Sequence, residues 1–352
     1  MRRAFWVILI LALLGAGAWF GVAWRLPYQG FSPPGVYVDI PHGASNRTVA
    51  RLLKENGVIR SRIAFEVLAR FRHHLRLKAG EYYFDHAETQ SEVLDTIANG
   101  RVYTVQLVIP EGFDMFAIAD LAAREGFLTR EDFLAAARDP SPILDLAPGA
   151  PDLEGFLAPA TYEFPRHVTG AEMTQAMVKR FRQIWATVVE PGAPPQDVTE
   201  VVTLASLVER ETPQPSERPL IAGVFTNRLQ RRMPLECDPT VIYALELAGR
   251  YGGTLEAADL RFASPYNTYL NKGLPPGPIA NPGEASLRAA FAPQKTDYLY
   301  FVANTQGGHF FSKTLAEHNR NVARYRRLRE EQEKKQSGDA PAEKSGTRGR
   351  PS

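Results

Sequence analysis

Glu209 and Glu211 stand two positions apart in LVERETPQPSER (207–218), at the end of an apolar helical stretch that Pro213 stops. At about 100° per residue, Val201, Leu204, Ala205 and Val208 form a core-facing arc, and Thr203, Ser206 and Arg210 lie opposite. The two glutamates fall on the flanks of that arc. A carboxyl at such a border is partly desolvated, which disfavours its charged form and raises its pKa toward values that suit a general acid near neutrality. The plainer reading makes both glutamates boundary residues, paired with Arg210, Arg218 or Arg231.

Three downstream segments shift the balance toward chemistry: CDPTVIYAL (237–245), SPYNTYLNKGLPPGPIANPG (264–283) and GGHFFSKTLAEHN (307–319). They are dense in Asn, Tyr, Gly and Pro, and long ordered loops are where sites are built. Amides, hydroxyls and aromatic rings are also the groups that hold sugars. Bland readings stand beside this one. Asp238, in Asp-Pro-Thr, can cap a helix that begins at Thr240. Tyr298 and Tyr300 suit a strand packed on a core, and Gly273, Pro275, Pro276 and Gly277 suit a fixed loop backbone.

No metal or cofactor is expected. His73 and His74 diverge by about 100° on a helix and cannot readily share an ion. His309 and His318 lack the spacing and carboxylate of a zinc motif, and GRYGGT (249–254) lacks the lysine and serine order of a phosphate-binding loop.

These residues need a scaffold, and the chain is long enough to supply one. It has 352 residues with 44% hydrophobic content, enough for real cores. Its 41 basic and 39 acidic side chains leave a net charge of +2, which gives no global case for a nucleic-acid partner. RNVARYRRLR (320–329) reads as the solvated face of a helix. Cys237 is the lone cysteine, so intrachain disulfides are excluded, and a packed small hydrophobe is expected.

Residues 4–24 carry no charge, and about 20 apolar residues span a bilayer as a helix. Arg2 and Arg3 favour a cytoplasmic amino terminus, which places the rest of the chain across the membrane. Ala16-Gly17-Ala18 matches a signal-peptide cleavage site, but the apolar run continues through WFGVAW, so an uncleaved anchor is expected.

The expected organisation is a membrane anchor over 1–25 with a short cytoplasmic amino terminus, then a linker rich in proline and glycine over 26–36. Residues 37–108 start with a strand at VYVDI. A helix follows, capped by Ser45 or Asn46, with Val49, Leu52 and Leu53 on one face and Gly57 at its end. A second helix runs from Ser61, with Ile63, Val67, Leu68 and Phe71 as its apolar stripe, and EYYF (81–84) returns as a strand. A short helix over 91–100 and a strand over 102–109 complete this part. Residues 109–329 mix helices at 116–138, 170–188 and 197–211 with loops and a strand over 298–303. The fold class is therefore α+β. Residues 330–352 contain no large apolar side chain and are expected to be disordered.

LASLVERET, SERPLIAGVFTNRL, DPTVIYAL, SPYNTY, GLPPGPIANPG and YLYFVAN with GGHFFS resemble, in order, the motifs of the endolytic murein transglycosylases, the MltG or YceG-like family. The resemblance implies a single-pass inner-membrane protein with a periplasmic body: a LysM-like subdomain over 37–108, then a catalytic domain over 109–329. It implies a lytic transglycosylase that cuts the MurNAc–GlcNAc bond of peptidoglycan and leaves a 1,6-anhydro-MurNAc end, terminating or trimming glycan strands, with peptidoglycan synthases as partners. The family's acid falls on Glu211, the glutamate before Thr212, with Glu209 as the fallback. Asn267, Tyr266 and Tyr269, then Asp238 and His309, are the substrate-binding candidates. The family often has an acidic residue after proline in EGFLAPATYEF (154–164), where this chain has Ala160.

Most glycosidases need two carboxyl groups. Here one suffices: it protonates the leaving oxygen and then takes the proton of the muramyl C6 hydroxyl as that oxygen closes on C1. Glu209 could tune the first carboxyl by like-charge repulsion. The rival readings are a noncatalytic peptidoglycan-binding scaffold, and a hydrolase using Glu209 or Asp238 as a second carboxylate.

Overall fold

The computed structural model describes residues 24–336 other than His73, together with isolated positions between 6 and 22. Among the described residues no helix is long and apolar enough to cross a membrane. The expected spanning helix is therefore corrected: it is not part of the described fold, and most of residues 4–24 lie outside the described residues. The α+β class holds, with helices joined by two-stranded sheets, β1–β2, β3–β4 and β5–β6. The chain divides into two compact units, one of residues up to 106 with 163–167, the other of 107–162 with the residues from 168 onward.

The first unit is built on β1 (Val36–Ile40) and β2 (Gly80–Phe84), antiparallel with Val38 opposite Tyr82. Between them run α1 (Asn46–Glu55) and α2 (Arg62–Phe71), and α3 (Gln90–Asn99) follows. Each helix begins where an oxygen-bearing side chain can take a free backbone N–H. Ser45 accepts from Thr48, Ser61 from Ala64, and Thr89 forms a capping box with Glu92. Gly100 (φ 70°) closes α3 in the left-handed conformation that glycine adopts cheaply. Val38, Ile40, Leu53, Phe65, Tyr82 and Ile97 belong to one buried cluster. The apolar stripe of α2 differs from expectation. Ala64, Phe65, Leu68 and Ala69 face inward, while Ile63 and Phe71 are exposed, because Phe65 and the two small alanines let α2 approach α1 closely.

β3 (Val105–Ile109) pairs with β4 (Ala160–Phe164). The second unit then contributes α4 (Met115–Arg124) and α5 (Arg130–Ala137), where one helical stretch was expected; the break falls at Gly126 (φ 79°) and Thr129, which caps α5. α6 (Gly170–Val188) matches its expected bounds and carries a Thr169–Glu172 capping box. α7 (Val198–Glu211), α8 (Arg218–Gln230) and α9 (Asp238–Leu247) follow. α10 (Glu284–Phe291) packs on α6, α7 and α8. β5 (Tyr300–Ala303) and β6 (His309–Ser312) form a hairpin against α11 (Leu315–Gln336). α11 corrects the expected disorder from 330 onward. Its polar end stays helical through Gln336, with Arg327–Glu331 and Arg329–Glu333 spaced one turn apart to support it; residues 337–352 lie outside the described residues.

α7 is buried all round over residues 201–208, while Glu200 and Arg210 stay exposed. Thr203 and Ser206, expected to face away from the core, are 2% and 0% exposed. The loop before α10 covers that face: the Ser206 hydroxyl accepts from Ile279 N–H (3.0 Å) and donates to the Thr203 carbonyl (2.7 Å). Burying hydroxyls costs little when each finds a partner this way.

Candidate active site

Glu211 is the last residue of α7. Thr212 turns extended (φ −143°, ψ 133°) and Pro213 cannot continue the helix. The Glu211 side chain opens onto a cavity of about 480 Å³. Its walls come from α8 (Arg228), the segment before α9 (Leu235, Glu236), the start of α9 (Asp238), Tyr269, β5 (Phe301–Ala303), β6 (His309) and α11 (His318). Protein surrounds the carboxyl on its other sides. Burial raises its pKa, and the charge of Asp238 adds to the rise; the Cys237 thiol, by hydrogen bonding, and the charge of Arg228 pull the other way without cancelling it. Cys237 itself is buried, and its thiol pKa is pushed well up, by burial first and then by Glu211, so it stays a neutral donor.

Each wall is fixed by polar contacts. Asp238 is the first residue of α9, and no side chain caps that helix; its carboxylate instead accepts from the Tyr269 hydroxyl at 2.6 Å. Burial and Asp238 both hold the Tyr269 phenol in its protonated form. His309 Nδ1 lies 2.7 Å from Glu217 Oε2, and its backbone N–H donates to Oε1 of the same carboxylate at 2.9 Å. Arg228 is almost buried and donates to the carbonyls of Leu299 (2.7 Å), Pro234 (3.1 Å) and Leu235 (2.9 Å), and to Glu236 (3.1 Å).

Of the residues singled out from the sequence, Glu211, Asp238, Tyr269 and His309 share the cavity. Glu209 does not line it. That carboxylate accepts from Arg218 (2.8 Å) and from Gly283 N–H (2.9 Å), within the packing of α7 against α8 and α10. Asn267 is fully buried, donates to the Leu260 and Phe262 carbonyls (3.0 and 2.8 Å) and accepts from Tyr269 N–H (2.9 Å), so it ties the loop together. Tyr266 packs on Tyr243 with ring centroids 5.1 Å apart, outside the cavity. Ala160 opens β4.

Arg228, Glu217, Glu236 and His318 are the site residues that sequence reasoning passed over. Glu217 carried a signal: a glutamate at a helix start whose carboxylate caps nothing, since α8 has no side-chain cap. Arg228 carried none, standing among Thr226, Asn227 and Gln230 at the polar end of α8. A second polar knot lies away from the cavity. Glu154, 1% exposed, accepts from Met115 N–H (2.9 Å), Tyr243 (3.1 Å) and Asn281 (2.8 Å), and burial pushes its pKa well up.

Known proteins are similar to this chain over most of its length. An endolytic murein transglycosylase of Bacillus subtilis is 36% identical over 330 residues, covering 89% of this chain and 91% of that protein. One of Streptococcus pneumoniae is 32% identical over 355 residues, covering 90% of this chain and 64% of its own longer one. A crystal structure of a YceG-like protein from Listeria monocytogenes superposes with a TM-score of 0.52 at 35% identity, over 82% of this chain and 99% of that one. The family model described as YceG-like matches residues 38–324. The chain belongs to the YceG-like family.

Proposed function

We propose that this chain is a peptidoglycan lytic transglycosylase, the activity named for its relatives. The observation that carries the reading is Glu211, a carboxyl with a raised pKa in the wall of a cavity lined by polar and aromatic groups. The other two cavity carboxylates are engaged, Asp238 by the Tyr269 hydroxyl and Glu236 by Arg228. That leaves Glu211 to act as the acid on the MurNAc–GlcNAc oxygen. C1–O cleavage with closure of the C6 oxygen on C1 then gives the 1,6-anhydro end without consuming water. Tyr269, Asp238 and His309 supply hydroxyl, carboxylate and imidazole contacts to the sugars from the opposite walls.

Mass spectrometry of digested sacculi tests this reading. Anhydromuramyl ends from the wild-type chain and none from Glu211→Gln support it; reducing ends would make the protein a hydrolase, and no product would make it a scaffold. The strand–helix–helix–strand order of the first unit supports reading it as LysM-like. The substrate supports a periplasmic location for the bulk of the chain and peptidoglycan synthases as partners. Protease accessibility in spheroplasts and co-purification with synthases test these two points.

A further inference from the structure

Glu217 sits at the start of α8 but does not cap it. Its carboxylate reaches β6 instead and holds His309 through two donors, the backbone N–H (2.9 Å to Oε1) and Nδ1 (2.7 Å to Oε2). A carboxylate only accepts, so Nδ1 carries the proton, and in the neutral ring Nε2 is left with its lone pair. The Thr212 hydroxyl lies 3.4 Å from the same Oε2, which links the residue after Glu211 to this pair. Gly308 permits the close approach: a Cβ there would come within 2.5 Å of Glu217 Oε1. Phe301 meets the imidazole edge-on, with centroids 5.3 Å apart, and fixes its plane. His309 is 10% and Glu217 20% exposed, and among the described residues no hydrogen bond engages Nε2. His309 and Glu211 line one cavity.

A ring fixed in plane and tautomer, with its basic nitrogen unspent, is built for more than contact. We propose that His309 is a second catalytic residue, the base that takes the muramyl C6 hydroxyl proton, and that Glu217 is its positioning residue. This rests on the lytic transglycosylase reading above. In the step, the Glu211 proton goes to the glycosidic oxygen as the C1–O bond breaks. The C6 oxygen bonds to C1 while its proton moves to His309 Nε2. The proton then returns from the imidazolium to the Glu211 carboxylate through solvent, so nothing is consumed. Acid and base roles are divided between two walls of the cavity, and no single carboxyl has to swing between two oxygens.

Product analysis tests the division, using the full chain on purified peptidoglycan with circular dichroism as the folding control. His309→Ala is expected to lower kcat by about 100-fold or more, the usual contribution of a general base. Its residual product should shift from anhydro toward reducing ends, because water captures C1 when O6 is no longer deprotonated, and added imidazole should restore part of the anhydro yield. Glu217→Gln should lower kcat by about tenfold or more at unchanged KM, through misplacement of the ring. If His309→Ala fails to fold, His309→Gln and Glu217→Gln carry the same readouts. A His309 variant with the wild-type rate and the wild-type ratio of anhydro to reducing ends would overturn the inference. A wild-type chain that forms no anhydro ends would instead overturn the underlying activity, a separate outcome.

Discussion

Arg218 and Glu209 form an ion pair of 2.8 Å in which both side chains are nearly buried, at 6% and 5% exposure. Burial raises the Glu209 pKa, and the Gly283 N–H and the Arg218 charge work against that rise. This glutamate therefore belongs to the packing of α7 on α8 and α10, although it sits two residues from Glu211.

Removing one partner of such a pair strands the other charge in the interior, at a cost of about 3–5 kcal/mol. Arg218→Met is expected to lose stability on that scale in chemical denaturation. Glu209→Gln should lose less, and it should still release anhydromuramyl ends, whereas Glu211→Gln should release none. Loss of chemistry in a well-folded Glu209→Gln would move the acid to Glu209.

A Glu211 carboxyl in the proposed acid role must be protonated, and its pKa is raised by burial. Activity is therefore expected to fall as pH climbs through that raised value. The Cys237 thiol lowers the pKa by hydrogen bonding to the carboxylate. Cys237→Ala removes that donor, so the fall in kcat/KM should move to higher pH, while Cys237→Ser, which keeps a donor, should leave it nearer the wild-type position. A pH–rate series on the three proteins checks the direction. A limb that moved to lower pH in the alanine variant would contradict this assignment of the thiol.

Asn267 satisfies two carbonyls of the 260–262 turn and one backbone N–H. Asn267→Ala leaves all three without that partner in a partly buried loop, where each unsatisfied group costs up to the about 1–3 kcal/mol of a fully buried one. The expected result is a lower Tm together with a raised KM, because Tyr269 hangs from the same turn and lines the cavity. Thermal unfolding followed by kinetics on the folded fraction separates the two effects.

Glu246 is pushed up to about 7, from an ordinary value of 4.5, chiefly by burial and then by Asp114, the cap of α4. In the folded chain it holds its proton to higher pH than in the unfolded chain. Stability from this group is thus intact below about 4.5 and lost as pH rises toward about 7. Glu246→Gln is expected to flatten the stability–pH curve across that window, measured by urea midpoints at several pH values.

Elements with strong local signals were legible from sequence. Ser45 and Ser61 each sit where an exposed N–H needs an acceptor, and the helices begin there. The stripe of α2 was misread because Ile63 and Phe71 look like core residues, whereas close helix packing selected alanines instead. Thr203 and Ser206 read as a solvent face because nothing local shows that residues near Ile279 fold back over them. The same blindness to distant contacts hid the site. Asp238, Tyr269 and His309 were recoverable from their loops. Asn267 resembled a sugar contact, yet its amide serves two carbonyls a few residues away. Glu217 and Arg228 also reach partners about 90 and 70 positions along the chain, His309 in β6 and Leu299 just before β5.

Arg228 extends one guanidinium to the backbone of two separate strips, at Pro234 and Leu235 before α9 and at Leu299 just before β5. A planar fork with donors pointing in fixed directions clamps those strips at a set width, which a lysine's single ammonium could not do. The gap between the two strips is therefore set by the fold itself, like a fixed calliper, before anything enters the cavity.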